Sequence, residues 1–180
     1  NAAIPQGWKL VPADGMVRCS TTCQWDSPWD HINLLRPCGG SQHTDKEANP
    51  NVIVELKNGV DLAGLVVTKR NGNEDRMKKM EVSTSTDGAT WFPLAATENM
   101  PKEWVITAPE GPKAKWIKVE AKNAQPEFLR LRHILVYDNY PLPPYPVTPC
   151  FIISPSFPAC WPQPSSCPRP SRRPFRPTAP

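Results

Sequence analysis

The sequence predicts an all-β fold, an antiparallel sandwich or barrel. Three observations predict it: short alternating or apolar runs recur between residues 51 and 137, turn signals separate them, and helical periodicity is almost absent. Seven or eight strands at this spacing can pack face to face and bury a core without any helix. A chain of 180 residues is long enough for one sizeable core and short for two.

The elements follow in chain order. Residues 1–50 are rich in turns, and the stretches 25–31 and 38–45 read as long loops, which in a compact domain are functional or disordered. Two tryptophans in the first of them, Trp25 and Trp29, favour order. Residues 51–56 alternate well enough for a strand, and Lys57, Asn58 and Gly59 predict a turn that ends it. The run 62–68 is mostly apolar between polar loops, as a buried strand is. Residues 79–85 alternate faces and break at Asp87 and Gly88. The runs 103–107 and 114–121 follow the same rule. The last strand, 128–137, is long enough to return and pair near the start of the chain.

Residues 141–180 have a different composition. Fourteen of the 24 prolines lie there, with Arg169, Arg172, Arg173, Arg176 and no acidic residue. Proline fixes φ and removes a backbone donor, so this stretch predicts a disordered or polyproline-like basic tail rather than a sheet or helix. The domain reading is therefore 1–140 for the sandwich and 141–180 for the tail. The tail reads as a linker to further modules or to a cell-wall partner, as a protein partner for a proline-binding domain, or as a non-native gene end. It carries the whole net charge of +4, which leaves residues 1–140 balanced at 17 basic and 17 acidic side chains. A neutral body argues against a nucleic-acid groove, which needs concentrated positive charge.

No apolar run reaches the ~18 residues of a membrane span. The start at Asn1, followed by two alanines, resembles a mature chain after signal-peptide removal, though an expression fragment starts the same way. Six cysteines suit an oxidising compartment, so a secreted or cell-surface location is expected. Cys19, Cys23, Cys38 and His43 offer four zinc-compatible ligands. A disulfide from Cys38 to Cys19 or Cys23 is favoured over that metal site, because the first pair is spaced wider than usual and a sandwich of this size needs no metal staple.

The runs 50–56, 62–70 and 80–91, the last closing on Asp87, Gly88 and Trp91, resemble the discoidin domain, also called the coagulation factor V/VIII type C domain. The likeness continues through 115–121 and 131–137 and covers roughly residues 15–138. The resemblance implies a galactose-binding-like jelly-roll β-sandwich. It also implies binding rather than catalysis, since many bacterial members are carbohydrate-binding modules of secreted glycan-active enzymes, while eukaryotic members bind lipid headgroups or proteins. In the sugar-binding branch a histidine, an arginine, an asparagine and an aromatic converge at one end of the sandwich. His43 matches the histidine, although Gln42 stands where the family commonly has tryptophan. Arg70 matches the arginine that ends the second long strand. Asn73 or Glu74 falls near the asparagine, and Phe128 best matches the late aromatic. His133 stands where the last strand often carries a glutamate associated with a structural calcium, so the resemblance does not carry that calcium over and no cofactor is expected.

Each candidate has a structural alternative. His43 could hold turn geometry through a backbone hydrogen bond, and Arg70 could pair with Glu74 or Asp75. Asn73 fits an Asn-Gly-Asn turn by turn chemistry alone. Trp29, with Trp25, either stacks on a sugar or packs over the open end of the sandwich, while Trp91 belongs to the core and Trp104 and Trp116 are structural. No nucleophile sits in a strand-turn-helix elbow, and nothing marks a general acid, so no enzyme is expected. The function read from the sequence is a non-catalytic carbohydrate-binding module for terminal galactose or N-acetylhexosamine. The alternative is a protein- or cell-surface-adhesion module on the same fold.

Overall fold

The computed structural model describes residues 3–23, 26, 28–37, 41–70, 77–108 and 111–139, with the backbone alone at 28–30. The described residues fall in one compact unit, Asn1–Pro144. Among the described residues, nine strands and one 3-10 helix follow in order: β1 (Trp8–Leu10), β2 (Met16–Cys19), the helix (Pro28–Leu35), β3 (Gln42–His43), β4 (Asn51–Lys69), β5 (Lys78–Ser85), β6 (Phe92–Asn99), β7 (Glu103–Thr107), β8 (Lys113–Ala121) and β9 (Arg130–Asn139). The antiparallel sandwich predicted from the sequence is present, and β9 does return to pair with β1.

The two sheets share one strand. The first half of β4 lies between β2 and β8, with β5 and β6 beyond β8. The second half lies between β7 and β9, and β9 also carries β1 and β3. The turn predicted at Lys57, Asn58 and Gly59 is not a turn. These exposed residues lie inside β4, where the pairing with β8 shifts register between Glu55 and Val60. Neither Asn58 nor Gly59 takes the positive φ that a tight hairpin turn needs, so the strand bulges and passes on into the other sheet.

Val52, Val54, Leu65, Val67, Val82, Ile117, Val119 and Ile134 fill the space between the sheets, each almost wholly buried. Burial stabilises each such side chain by about 1.5–3 kcal/mol relative to exposure. Residues 62–69 are covered on both faces. Outside the sandwich, Ala63, Val66 and Tyr137 form a second apolar cluster with Trp8, Val105 and Leu135, and the Trp8 and Tyr137 rings lie 5.4 Å apart. Double-sided cover explains why this half of β4 reads as a continuous apolar run rather than an alternating one.

The break after β5 has a local cause. The Ser85 hydroxyl accepts the Asp87 and Gly88 amides, and Asp87 Oδ1 accepts those of Ala89 and Thr90. These backbone hydrogen bonds hold the Asp87 carboxyl far below its usual range. Gly88 turns the chain at φ 76° beneath the Trp116 ring. Trp91, expected in the core, is instead half-buried, with the Lys118 ammonium 5.0 Å from the centre of its ring.

Candidate functional site

Three neighbouring strand ends bring the sequence-predicted residues together. β3 pairs with the start of β9 so that His43 faces Arg130. On the other side of β9, the Arg70 amide, one residue past the end of β4, donates to the Arg130 carbonyl at 3.1 Å. Arg130 is therefore flanked by His43 and Arg70. Thr44 locks this corner: its amide donates to the Leu129 carbonyl, and its hydroxyl accepts the Leu129 amide at 3.0 Å. Lys69, buried beside Arg70, donates its Nζ to the Met100 carbonyl.

His43 is 7% exposed and is held by Asp26, a residue the sequence reading did not single out. Asp26 Oδ2 accepts the His43 backbone amide at 2.8 Å and lies 2.6 Å from ring Nδ1. Arg70 Nη1 is 3.4 Å from the same ring nitrogen. One nitrogen cannot donate to Asp26 and accept from Arg70 at once. The shorter contact to the carboxylate decides the tautomer: Nδ1 carries the proton, and in the neutral ring Nε2 carries the lone pair. The Arg70 guanidinium is then a neighbour of the imidazole rather than a donor to it.

Phe128 completes the cluster. Its ring meets His43 edge-on, with centroids 6.4 Å apart at 61°, and the Arg130 guanidinium lies 5.0 Å from its centre. The Arg130 Nε is buried with no hydrogen-bond partner among the described residues. An imidazole, two guanidinium groups and a half-buried aromatic thus share one end of the sandwich. Planar guanidinium groups present donors at fixed spacing, which suits vicinal hydroxyls, and an aromatic ring suits an apolar C–H face.

Asn73 and Glu74 lie outside the described residues, as do the tail and its expected protein partner. Trp29 falls in the 3-10 helix, and its side chain is outside the described atoms. The structure therefore brings together His43, Arg70 and Phe128 of the predicted set, and adds Asp26 and Arg130. Among the described residues Cys19 and Cys23 form no disulfide, and the one expected from Cys38 to either of them lies outside the described residues. Burial, with Asp26 and Glu47 nearby, pushes the Cys19 thiol up to about 12, so it stays protonated and unreactive. Among the described residues no group of three His, Cys, Asp or Glu side chains could hold a metal ion, and no helix is long and apolar enough to cross a membrane.

Comparison with known proteins adds the following. The F5/8 type C domain family model matches residues 17–132. The lectin domain of lectinolysin, solved with Lewis B antigen, superposes with TM-score 0.59 at 16% identity, over 69% of this chain and 93% of that one. The family 32 carbohydrate-binding module of NanJ from C. perfringens, solved with galactose, gives TM-score 0.59 at 17% identity, over 73% of this chain and 99% of that one. A fucolectin from the serum of striped bass, Morone saxatilis, gives TM-score 0.61 at 17% identity, over 73% of this chain and 49% of that one. Curated protein sequences give no match. At such identities the superpositions establish the fold, a galactose-binding-like jelly roll.

Proposed function

This chain belongs to the F5/8 type C domain family, and from that premise we propose that it is a non-catalytic module that binds glycans at the His43 end of the sandwich. The observation that carries the reading is the convergence of His43, Arg70 and Arg130 around Phe128 on three adjacent strand ends. Modules on this fold were solved holding galactose or Lewis B antigen, which supports a saccharide as the ligand class.

In this reading His43 Nε2 accepts from one hydroxyl, Arg70 and Arg130 donate to its neighbours, and Phe128 carries the C–H face of the ring. Asn73 or Glu74, three and four residues after Arg70 in the chain, completes the polar rim, and Trp29 extends the aromatic surface. Terminal galactose or N-acetylhexosamine is the proposed epitope. So few contacts give a Kd between about 1 μM and 1 mM, and repeated modules or dense glycans raise the avidity. The module would work outside the cell or on its surface, as part of a larger glycan-active protein.

A glycan-array screen of the full chain tests this, with Arg70→Ala and His43→Ala beside the wild type. Retention of galactose-terminated glycans, lost in both variants, is the expected result. A folded wild type that retains no glycan would sink the proposal, and a protein-partner pull-down would then test adhesion.

A further inference from the structure

An open cleft adjoins the His43 cluster. Its volume is ≈ 350 Å³, at the small end of the range of small-molecule sites. Lys78 and Lys79, at the start of β5, form one wall, and residues 123–127, between β8 and β9, form the other. Along the chain both walls lead into the cluster. Glu127 precedes Phe128, and its Oε1 accepts the Phe128 amide at 3.0 Å. Lys78 follows Met77, whose sulfur accepts the Arg130 amide at 3.4 Å.

The backbone around this cleft is strained. Among the described residues only Asn49 and Lys79 take a positive φ without being glycine, at 51° and 50°. Both hold the same stretch of chain: the Lys79 carbonyl accepts the Lys122 amide at 2.8 Å, and the Asn49 amide donates to the Asn123 carbonyl at 3.1 Å. Asparagine tolerates this conformation, whereas lysine rarely adopts it. The ladder does not demand it, because Lys78 pairs with Asn99 and Met80 with Thr97 in step, with no extra residue at Lys79. Neighbours on a regular strand point to opposite faces, yet Lys78 and Lys79 are both exposed and both border this cleft. Strain of this kind persists only where the surroundings enforce it, and it gathers at ligand clamps.

The cleft offers hydrogen-bonding groups of both kinds. The ammonium groups of Lys78 and Lys79 and the carboxamide of Gln125 donate, and the Glu127 carboxylate accepts through the oxygen that does not hold Phe128. Two carboxylates nearby are engaged elsewhere, since Glu81 and Glu120 both hold Lys122. Asn123 donates to the Lys78 carbonyl at 3.4 Å and ties the two walls together. Exposed donors beside an acceptor match a ligand whose hydroxyls both give and take hydrogen bonds.

We propose that this cleft is a second sugar subsite. With a galactose-type residue at the His43 cluster, the next sugar of the glycan lies between Lys79 and Gln125 and exchanges hydrogen bonds with both walls. The subsite presupposes the glycan-binding function proposed above and gives it a minimum ligand, a disaccharide. A monosaccharide fills the His43 cluster alone and leaves the cleft to water.

The test is an NMR titration of the ¹⁵N-labelled full chain with N-acetyllactosamine beside galactose. The expected result is that the disaccharide binds about fivefold tighter or more, and that the Lys79, Asn123 and Gln125 amides shift for it but not for galactose. Gln125→Ala and Lys79→Gly should each remove that advantage while leaving galactose affinity unchanged. Gln125 is exposed and glycine adopts the Lys79 φ without strain, so both variants keep the fold. Equal affinity for the two sugars, with shifts confined to the His43 end, would overturn the subsite and leave the glycan function standing. So would variants that keep the full preference for the disaccharide. No saturable shift with either sugar would overturn both the subsite and the function it presupposes.

Discussion

Replacing Asp26 by alanine removes two interactions through one atom. Oδ2 accepts both the ring Nδ1 of His43, at 2.6 Å, and its backbone amide, at 2.8 Å. The pair is 7% and 13% exposed, so solvent screens it little. Hydrogen bonds to a charged group contribute about 1.5–3 kcal/mol each, and the lower bound taken twice gives about 3 kcal/mol. For a chain of this size that lowers Tm by about 6–12 °C. A double-mutant cycle separates the two bonds. His43→Ala keeps the backbone amide, so in that background Asp26→Ala should cost only about 1.5 kcal/mol, leaving a coupling of about 1.5 kcal/mol for the ring contact. Urea unfolding followed by circular dichroism measures all four corners. Glycan retention should fall in Asp26→Ala even where it remains folded, because the imidazole loses the group that orients it. A Tm within about 2 °C of wild type, or an equal cost in both backgrounds, would refute the assignment of Asp26 as the anchor of His43.

Three further outcomes follow from the packing and the titrating groups. Gly64→Ala would drive a Cβ into the Trp8 ring and the Ile106 carbonyl, so it should destabilise by about 1–3 kcal/mol and shift Trp8 emission to the red as the ring is displaced. Leu65→Ala empties a site with no exposed surface between the sheets, and denaturant titration should show a loss of about 2–5 kcal/mol. His133 titrates below 6.5 in the folded chain, so the unfolded chain binds its proton more readily. Its contribution to stability is full above pH 6.5 and is lost as pH falls from there through the lower folded value. Melting curves from pH 7 to pH 4 should show this slope, and His133→Asn should flatten it.

The reach of the sequence can be seen residue by residue. β5 was legible because its inward and outward residues alternate and Asp87 and Gly88 close it. β6 was not, because Pro93 and its mixed composition argue against a strand. It is tolerated because, among the described residues, β6 is an edge that pairs only with β5, and the ladder shifts register beside that proline. The break foreseen at Gly59 failed because two sheets compete for β4, a tertiary choice no local pattern records. His43, Arg70 and Phe128 were legible through family likeness. Asp26 was not, since its role depends on a contact with a residue 17 positions further along the chain. Arg130 looked like one member of an alternating strand until register placed it beside both His43 and Arg70.

The sharing of β4 between both sheets also dictates an order of events during folding. Its main partners, β7, β8 and β9, all come later in the chain, and β1 waits for β9, with Trp8 paired to Asn139. Chain entropy must therefore be surrendered across most of the domain before these pairings return any stability, which places folding in the millisecond-to-second range typical of non-local β topologies. Neither half of β4 can mature alone. The two sheets should gain hydrogen-exchange protection together, as a single cooperative unit, with β4 amides exchanging only through global opening.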